Sequence, residues 1–330
     1  MDYYCATKFT DLMVHVQARL LYNCCKAYPE RINLQWLEKN PGSLFHTDTM
    51  IDDRKKMLDN KSCFSCHHGC YKQEEQGIMS ARQHSVNPVM DRSKSKLKDP
   101  YASLKDLTIA LTTDCNLACV YCAPEWSTTW QREVDQGGSY VMEDYAIKNS
   151  NFNKTWSNLK QKARGADNKF FKLLLNEIKL ADELEVITLL GGEPLLNNQF
   201  DHLLESASGK RIKIFSGLGV SDQRLQKVLD KTKGMPISWN ISAEATGRHF
   251  EFVRHGLTWD EFVKKVDMIN DNGQEIVFQS TISNLSAFDF SNFYKHFGTD
   301  FPIKSSSVTG RPFMSPHVLD KESKDQIVDS

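Results

Sequence analysis

Leu107-Thr-Ile-Ala-Leu-Thr-Thr-Asp-Cys115-Asn-Leu-Ala-Cys119-Val-Tyr-Cys122 begins as a short apolar and β-branched run and ends as a loop with the spacing Cys-x3-Cys-x2-Cys. The run from Leu107 to Thr112 predicts a strand, so the three thiols sit directly beyond a strand's end. Three thiolates on one loop suit an iron-sulfur cluster. A cubane usually takes four cysteines, and three leave one iron open to a small molecule. Zinc also accepts thiolates, but a structural zinc site wants a closed tetrahedral set, and no fourth member lies nearby.

Beyond this stretch, short apolar runs alternate with amphipathic helical patterns, the βα texture of a parallel sheet. Strands are expected at Val186–Leu190, Ile212–Phe215, Ile237–Ser242, Ile276–Thr281 and, more weakly, Ile303–Val308. Helices are expected at Lys169–Asp182, Phe200–Ser208, Gln223–Lys231, Trp259–Asn270 and Phe288–Phe297. Right-handed crossovers would curl such a chain into a partial barrel. The fold class expected is therefore α/β, a partial (β/α)6 TIM-like barrel with a small irregular N-terminal metal-binding module. Residues 1–100 form that module and a linker, residues 101–315 the barrel with an insertion near 130–167, and residues 316–330 a polar tail, partly disordered or the stump of a further domain.

Composition narrows the function. The 330-residue chain carries 41 basic and 42 acidic residues, with a net charge of −1, unlike the basic footprint of a dedicated nucleic-acid binder. The run Arg92-Ser-Lys-Ser-Lys-Leu-Lys98 still leaves nucleic acid open as a partner. No apolar run is long enough to span a membrane, and Met1-Asp2-Tyr3-Tyr4-Cys5 lacks the pattern of a signal peptide, so a cytoplasmic location without membrane partners is expected. Thiols stay reduced there, which turns the nine cysteines towards metal ligation. All nine precede residue 123. Besides the loop set they are Cys5, Cys24, Cys25, and the group Cys63-x2-Cys66-x3-Cys70. A second metal site is expected from them, either an iron-sulfur cluster or a structural zinc knuckle; His67 and His68 adjoin it.

With Tyr121 before its last cysteine, the loop Cys115, Cys119, Cys122 resembles the signature of radical S-adenosylmethionine (radical SAM) enzymes. Leu189-Leu-Gly191-Gly192-Glu193-Pro194-Leu195, about 70 residues on and at a strand's end, resembles the glycine-rich segment with which that family binds the methionyl amine. The resemblance implies a 4Fe-4S cluster on the three cysteines and S-adenosylmethionine as cofactor. It also places Ser242 and Glu244 against ribose or substrate, Arg254 against the methionyl carboxylate, and Tyr121, Gln279 and Thr281 around the rest of the cofactor. In Arg254 a planar fork matches a carboxylate. Where many relatives show an Asn-Gly turn, this chain has Ser216-Gly217-Leu218-Gly219.

The N-terminal cysteines resemble the auxiliary-cluster modules called SPASM or twitch, which usually follow the barrel and here precede it. The ligand set this implies is Cys5, Cys24, Cys63 and Cys66, with Cys25 and Cys70 as substitutes. The implied activity is reductive cleavage of S-adenosylmethionine to a 5′-deoxyadenosyl radical that takes a hydrogen atom from a peptide or protein side chain. The electron would come from a flavodoxin- or ferredoxin-type donor. A nucleoside or small-metabolite substrate, and a non-catalytic metal-binding module, are the alternatives; the Gly191–Pro194 segment speaks against the latter.

Overall fold

The computed structural model describes residues 2–24, 26–86, 96–124, 126–138, 168–308 and 312–328. Cys25, most of the run Arg92–Lys98 and most of the insertion expected over 130–167 lie outside them. The strands are β1 (Asp11–His15), β2 (Leu20–Tyr22), β3 (Glu30–Arg31), β4 (Asp106–Ala110), β5 (Ala118–Cys119), β6 (Val186–Leu190), β7 (Arg211–Ser216), β8 (Ile237–Ile241), β9 (Arg254–His255), β10 (Glu275–Ile282) and β11 (Ile303–Ser307). The class is α/β with a mostly parallel sheet, as the alternation in the sequence predicts. The chain separates into two compact units. No helix among the described residues is long and apolar enough to cross a membrane.

One unit gathers the described residues of 1–110, 163–188 and 205–210. In it β1 runs parallel to β4, with Asp11 opposite Asp106 and His15 opposite Ala110; β2 pairs antiparallel with β1, and β3 with β2. The N-terminal hundred residues are thus not irregular throughout. Leu12 and Val14 are buried in β1, but a five-residue strand begun by Asp and ended by His has a weak local signal, and its pairing with a strand 95 residues away decides its structure. Lys8 is fully buried and pairs with Asp53 at 2.5 Å, while Ser65 bonds to both. The helix Asn168–Leu180 buries Phe170, Phe171, Leu174 and Ile178, and its Glu177 carboxylate accepts from the backbone N–H groups of Gly42 (2.7 Å) and Leu44 (2.9 Å).

The other unit gathers the described residues of 111–162, 189–204 and 211–330. Its strands β7, β8, β10 and β11 are neighbours in that order and all parallel, with Ser216 opposite Ile241, Ile241 opposite Phe278, and Phe278 opposite Ile303. Every residue of β8 is buried, as expected of a parallel strand covered on both faces. The helices between are capped by side chains the sequence supplies: Ser221 accepts from Arg224 N–H, and Thr258 with Glu261 forms a reciprocal capping box. An aromatic cluster, Phe250, Trp259, Phe262, Phe278, Phe293 and Phe297, packs the helices against β10. This shared register brings Ser216, Ser242 and Thr281 to the carboxyl end of the strands, where ligands gather in parallel α/β folds. The polar tail carries a helix, Lys321–Val328.

Candidate active site

The cysteine loop is built as a clamp. Cys119 pairs with Arg254 in the short β5–β9 ladder, and Val120 N–H donates to Val253 O at 2.9 Å. On the other side the start of the helix Thr128–Gly137 grips the loop: Ser127 Oγ donates to Leu117 O (2.7 Å), Thr129 Oγ1 to Cys115 O (2.9 Å), and Trp130 Nε1 to Cys119 O (2.8 Å). Leu117 lies in space that glycines leave free. A Cβ on Gly219 would stand 2.9 Å from Leu117 Cγ and 2.6 Å from Asn116 Oδ1, and one on Gly217 would stand 3.0 Å from Leu117 Cδ1. The unusual Ser216-Gly217-Leu218-Gly219 turn is thereby explained as the seat of the cysteine loop.

Gly191 and Gly192 serve the same loop from the β6 side. A Cβ on Gly191, whose φ is +151°, would fall 2.5 Å from Thr112 O; one on Gly192 would fall 2.5 Å from Asp114 O and 2.8 Å from Trp126 O. The contact is closed by Gly192 N–H donating to Thr112 O (2.8 Å) and Glu193 N–H to Asp114 O (2.7 Å). Glu193 is 1% exposed. Its carboxylate accepts from Ser216 Oγ (2.9 Å) and from the N–H groups of Gly217 (3.1 Å) and Leu195 (3.3 Å). Burial pushes the carboxyl up to about 7, against these hydrogen bonds.

These pieces enclose one cavity of about 260 Å³, at whose wall Cys115, Cys119, Cys122, Gly191, Glu193 and Arg254 meet. Burial pushes the Cys115 and Cys119 thiols up to about 12. Tyr121, Gly192, Ser242 and Thr281 also line it, whereas Pro194, Glu244 and Gln279 do not. Gln279 donates to Asn240 Oδ1 at 2.9 Å instead. Glu244 sits behind the wall, 1% exposed, bonded to Arg254 Nη2 at 2.6 Å and to Tyr121 Oη at 3.1 Å, while Arg254 Nη2 also donates to Tyr121 Oη. Glu244, expected against ribose or substrate, thus forms a buried ion pair with Arg254. Burial works against the Arg254 charge, but the Glu244 carboxylate more than offsets it and keeps the guanidinium protonated. Trp126 and Phe215 carry no signal in the sequence, being single residues with no motif around them, and Ser216 shows there only as the start of the Ser216–Gly219 turn, without a role; each is findable only from its place at a strand or loop end.

The model of the radical SAM superfamily matches residues 109–285, more than half of the chain. The chain belongs to the radical SAM superfamily. No curated protein matches. Among solved structures, native anSMEcpe with bound AdoMet and Kp18Cys peptide is similar at 14% identity and a TM-score of 0.43, covering 68% of this chain and 57% of that one. Streptococcus suis SuiB bound to S-adenosylmethionine is similar at 12% identity and a TM-score of 0.36, covering 96% and 66%. SuiB bound to the precursor peptide SuiA is similar at 12% identity and a TM-score of 0.38, covering 98% and 68%. This radical SAM chain thus spans little more than half the length of the first of these structures.

A separate set of thiols lies in the other unit of this radical SAM protein. Cys5, Cys63 and Cys66 share a buried cluster with Tyr4, Phe9, Met57 and Tyr71. Cys70 is buried too, and Cys24 is half-buried and close enough to act electrostatically on Cys5 and Cys70. Cys63 Sγ lies 3.5 Å from Tyr71 Oη and 3.7 Å from Ser65 Oγ. A hydrogen bond from the Cys66 thiol, with the Lys8 charge behind it, draws the Cys63 thiol down, and the same bond pushes Cys66 up. Among the described residues, no three His, Cys, Asp or Glu side chains converge closely enough to hold a single metal ion. A cubane does not require that, because each thiolate meets a different iron.

Proposed function

We propose that this chain reductively cleaves S-adenosylmethionine and abstracts a hydrogen atom from a peptide or protein side chain, with Cys115, Cys119 and Cys122 as the ligands of a 4Fe-4S cluster. The observation that carries the reading is the meeting of these three thiols with Gly191, Glu193 and Arg254 on one cavity at the strands' carboxyl ends. The donor set fits such a cluster: three thiols come from one loop, and they share a cavity with the buried Glu193 and Arg254 side chains. When bound, a cluster with one open iron supplies the electron that breaks the sulfonium carbon–sulfur bond.

The residues of the chain bind, orient and shield. Glu193, fixed by Ser216 and Gly217, offers a carboxylate to the methionyl ammonium, and a cation beside it favours its ionised form. Arg254 keeps Nε without a partner among the described residues, a buried donor suited to the methionyl carboxylate. Ser242 and Thr281 supply hydroxyl groups to the nucleoside end. Leu117, Trp126, Leu190 and Phe215 make the apolar part of the wall and limit water. Cys5, Cys24, Cys63 and Cys66 hold an auxiliary iron-sulfur cluster, with Cys70 the substitute among the described residues; a flavodoxin- or ferredoxin-type protein donates the electron, in the cytoplasm.

The test is anaerobic reconstitution with iron and sulfide, reduction by dithionite, and detection of 5′-deoxyadenosine by mass spectrometry. Product that disappears in Cys115→Ala supports the reading. A reconstituted cluster with no product contradicts it.

A further inference from the structure

We propose that Arg254 is a positioning residue that sets the reduction potential of the cluster at Cys115, Cys119 and Cys122, donating a hydrogen bond to the Cys119 sulfur while Glu244 fixes its guanidinium. This rests on the cluster assignment made under Proposed function.

The β5–β9 ladder fixes the two residues as direct partners, Cys119 opposite Arg254. Arg254 Nη1 then lies 3.7 Å from Cys119 Sγ, within reach of an N–H···S hydrogen bond. The other arm of the fork, Nη2, is held by the Glu244 carboxylate at 2.6 Å and by Tyr121 Oη, so the guanidinium cannot swing from the sulfur without giving up both. Tyr121 precedes Cys122, and its ring lies 5.6 Å from Arg254 Cζ. One guanidinium therefore touches a cysteine sulfur and the neighbour of a second cysteine.

Arg254 is 3% exposed and Glu244 1%, so neither charge is screened by water. A buried ion pair adds little net stability, because desolvation opposes the Coulombic gain. Its effect on a nearby group is large for the same reason. A donor to a cluster sulfur draws electron density from the thiolate and eases the addition of an electron, and hydrogen bonds and local charge are the protein's main levers on such potentials. Arg254 raises the potential and the Glu244 charge holds that increase in check.

The experiment is a redox titration of the full chain, reconstituted anaerobically and followed by electron paramagnetic resonance. The titration is run without S-adenosylmethionine, and the signal recorded is the one that Cys115→Ala lacks, which separates this cluster from any other. Arg254→Met shifts the midpoint to more negative potential, Arg254→Lys shifts it the same way but less, and Glu244→Gln shifts it to more positive potential. Where Arg254→Met fails to hold iron, the opposite shifts of Arg254→Lys and Glu244→Gln decide the matter. A merely structural ion pair would change iron content or unfolding and would not give shifts of opposite sign. Unchanged midpoints at full iron content, or arginine and glutamate variants shifting in the same sense, overturn the proposal. A parent protein with no signal that Cys115→Ala lacks overturns the cluster assignment itself and this inference with it.

Discussion

Replacing Gly192 by alanine sets a methyl group 2.5 Å from Asp114 O and 2.8 Å from Trp126 O, both backbone atoms of the cysteine loop's flanks. Neither can rotate aside as a side-chain tip could. The loop must move by more than half an ångström, and the hydrogen bonds Gly192 N–H to Thr112 O and Glu193 N–H to Asp114 O stretch with it. Overpacking of this kind costs about 1–3 kcal/mol, and the two hydrogen bonds add about 1 kcal/mol each. Gly137 is the internal control: it ends a helix, and a Cβ there meets nothing within 4 Å among the described residues, so Gly137→Ala changes stability by less than about 1 kcal/mol. The assay is urea unfolding of both variants as isolated, followed by iron and sulfide content after reconstitution. Gly192→Ala loses both stability and cluster content, and Gly137→Ala loses neither. If Gly192→Ala unfolds and fills with iron as the parent does, the claim that glycine is required for close approach to the cysteine loop is wrong.

Three further outcomes follow from buried groups. The Glu193 carboxyl lies at about 7 in the folded chain, above its unfolded value near 4.5, so its contribution is fully present at low pH and is lost as pH rises through that window. Unfolding of the metal-free protein should show a penalty of about 3 kcal/mol developing between pH 4.5 and 7 that Glu193→Gln removes; parallel pH profiles for the two proteins would refute it. Lys8→Met strands the Asp53 carboxylate, 5% exposed and still bonded to Ser65, and should cost about 3–5 kcal/mol, with Lys8→Met/Asp53→Leu recovering part of the loss in the same denaturation assay; a single variant as stable as the parent would count against the buried pair. Leu117→Ala empties the space between Gly217 and Gly219 and should cost about 2–5 kcal/mol, with faster amide hydrogen exchange at Val120 and Cys122; unchanged exchange would mean that the loop does not depend on this anchor.

What could be read in the sequence depended on how local its cause was. β6 (Val-Ile-Thr-Leu-Leu) appears as a nearly continuous apolar run and β8 (Ile-Ser-Trp-Asn-Ile) as an alternating one, and the observed bounds fall within a residue or two of those expected. Five helices from Asn168 to Phe297 were similarly legible through their periodicity, whereas the short helices Gly247–Val253 and Lys321–Val328 were not expected. β1 was not, because its partner β4 lies 95 residues away and its own five residues are half polar. In the site, Cys115–Cys122 and Gly191–Glu193 were legible as contiguous motifs. Their physical connection was not: both glycines serve the backbone that carries the cysteines, which only the β4–β6 approach reveals. Glu244 and Arg254 each stand out in the sequence as ligand contacts, yet they bond to each other, a pairing made by the turn and helix between them and by no sequence pattern. Ser216 was passed over because its function, holding Glu193, exists only where β6 and β7 end side by side.

The central claim is that one cavity joins three thiols to a site for S-adenosylmethionine. Its most direct test is the cleavage assay on the anaerobically reconstituted chain with the Cys115→Ala variant beside it. The parent forms 5′-deoxyadenosine and the variant forms none. A parent protein with a full complement of iron and sulfide that binds S-adenosylmethionine but forms no 5′-deoxyadenosine under dithionite would contradict it.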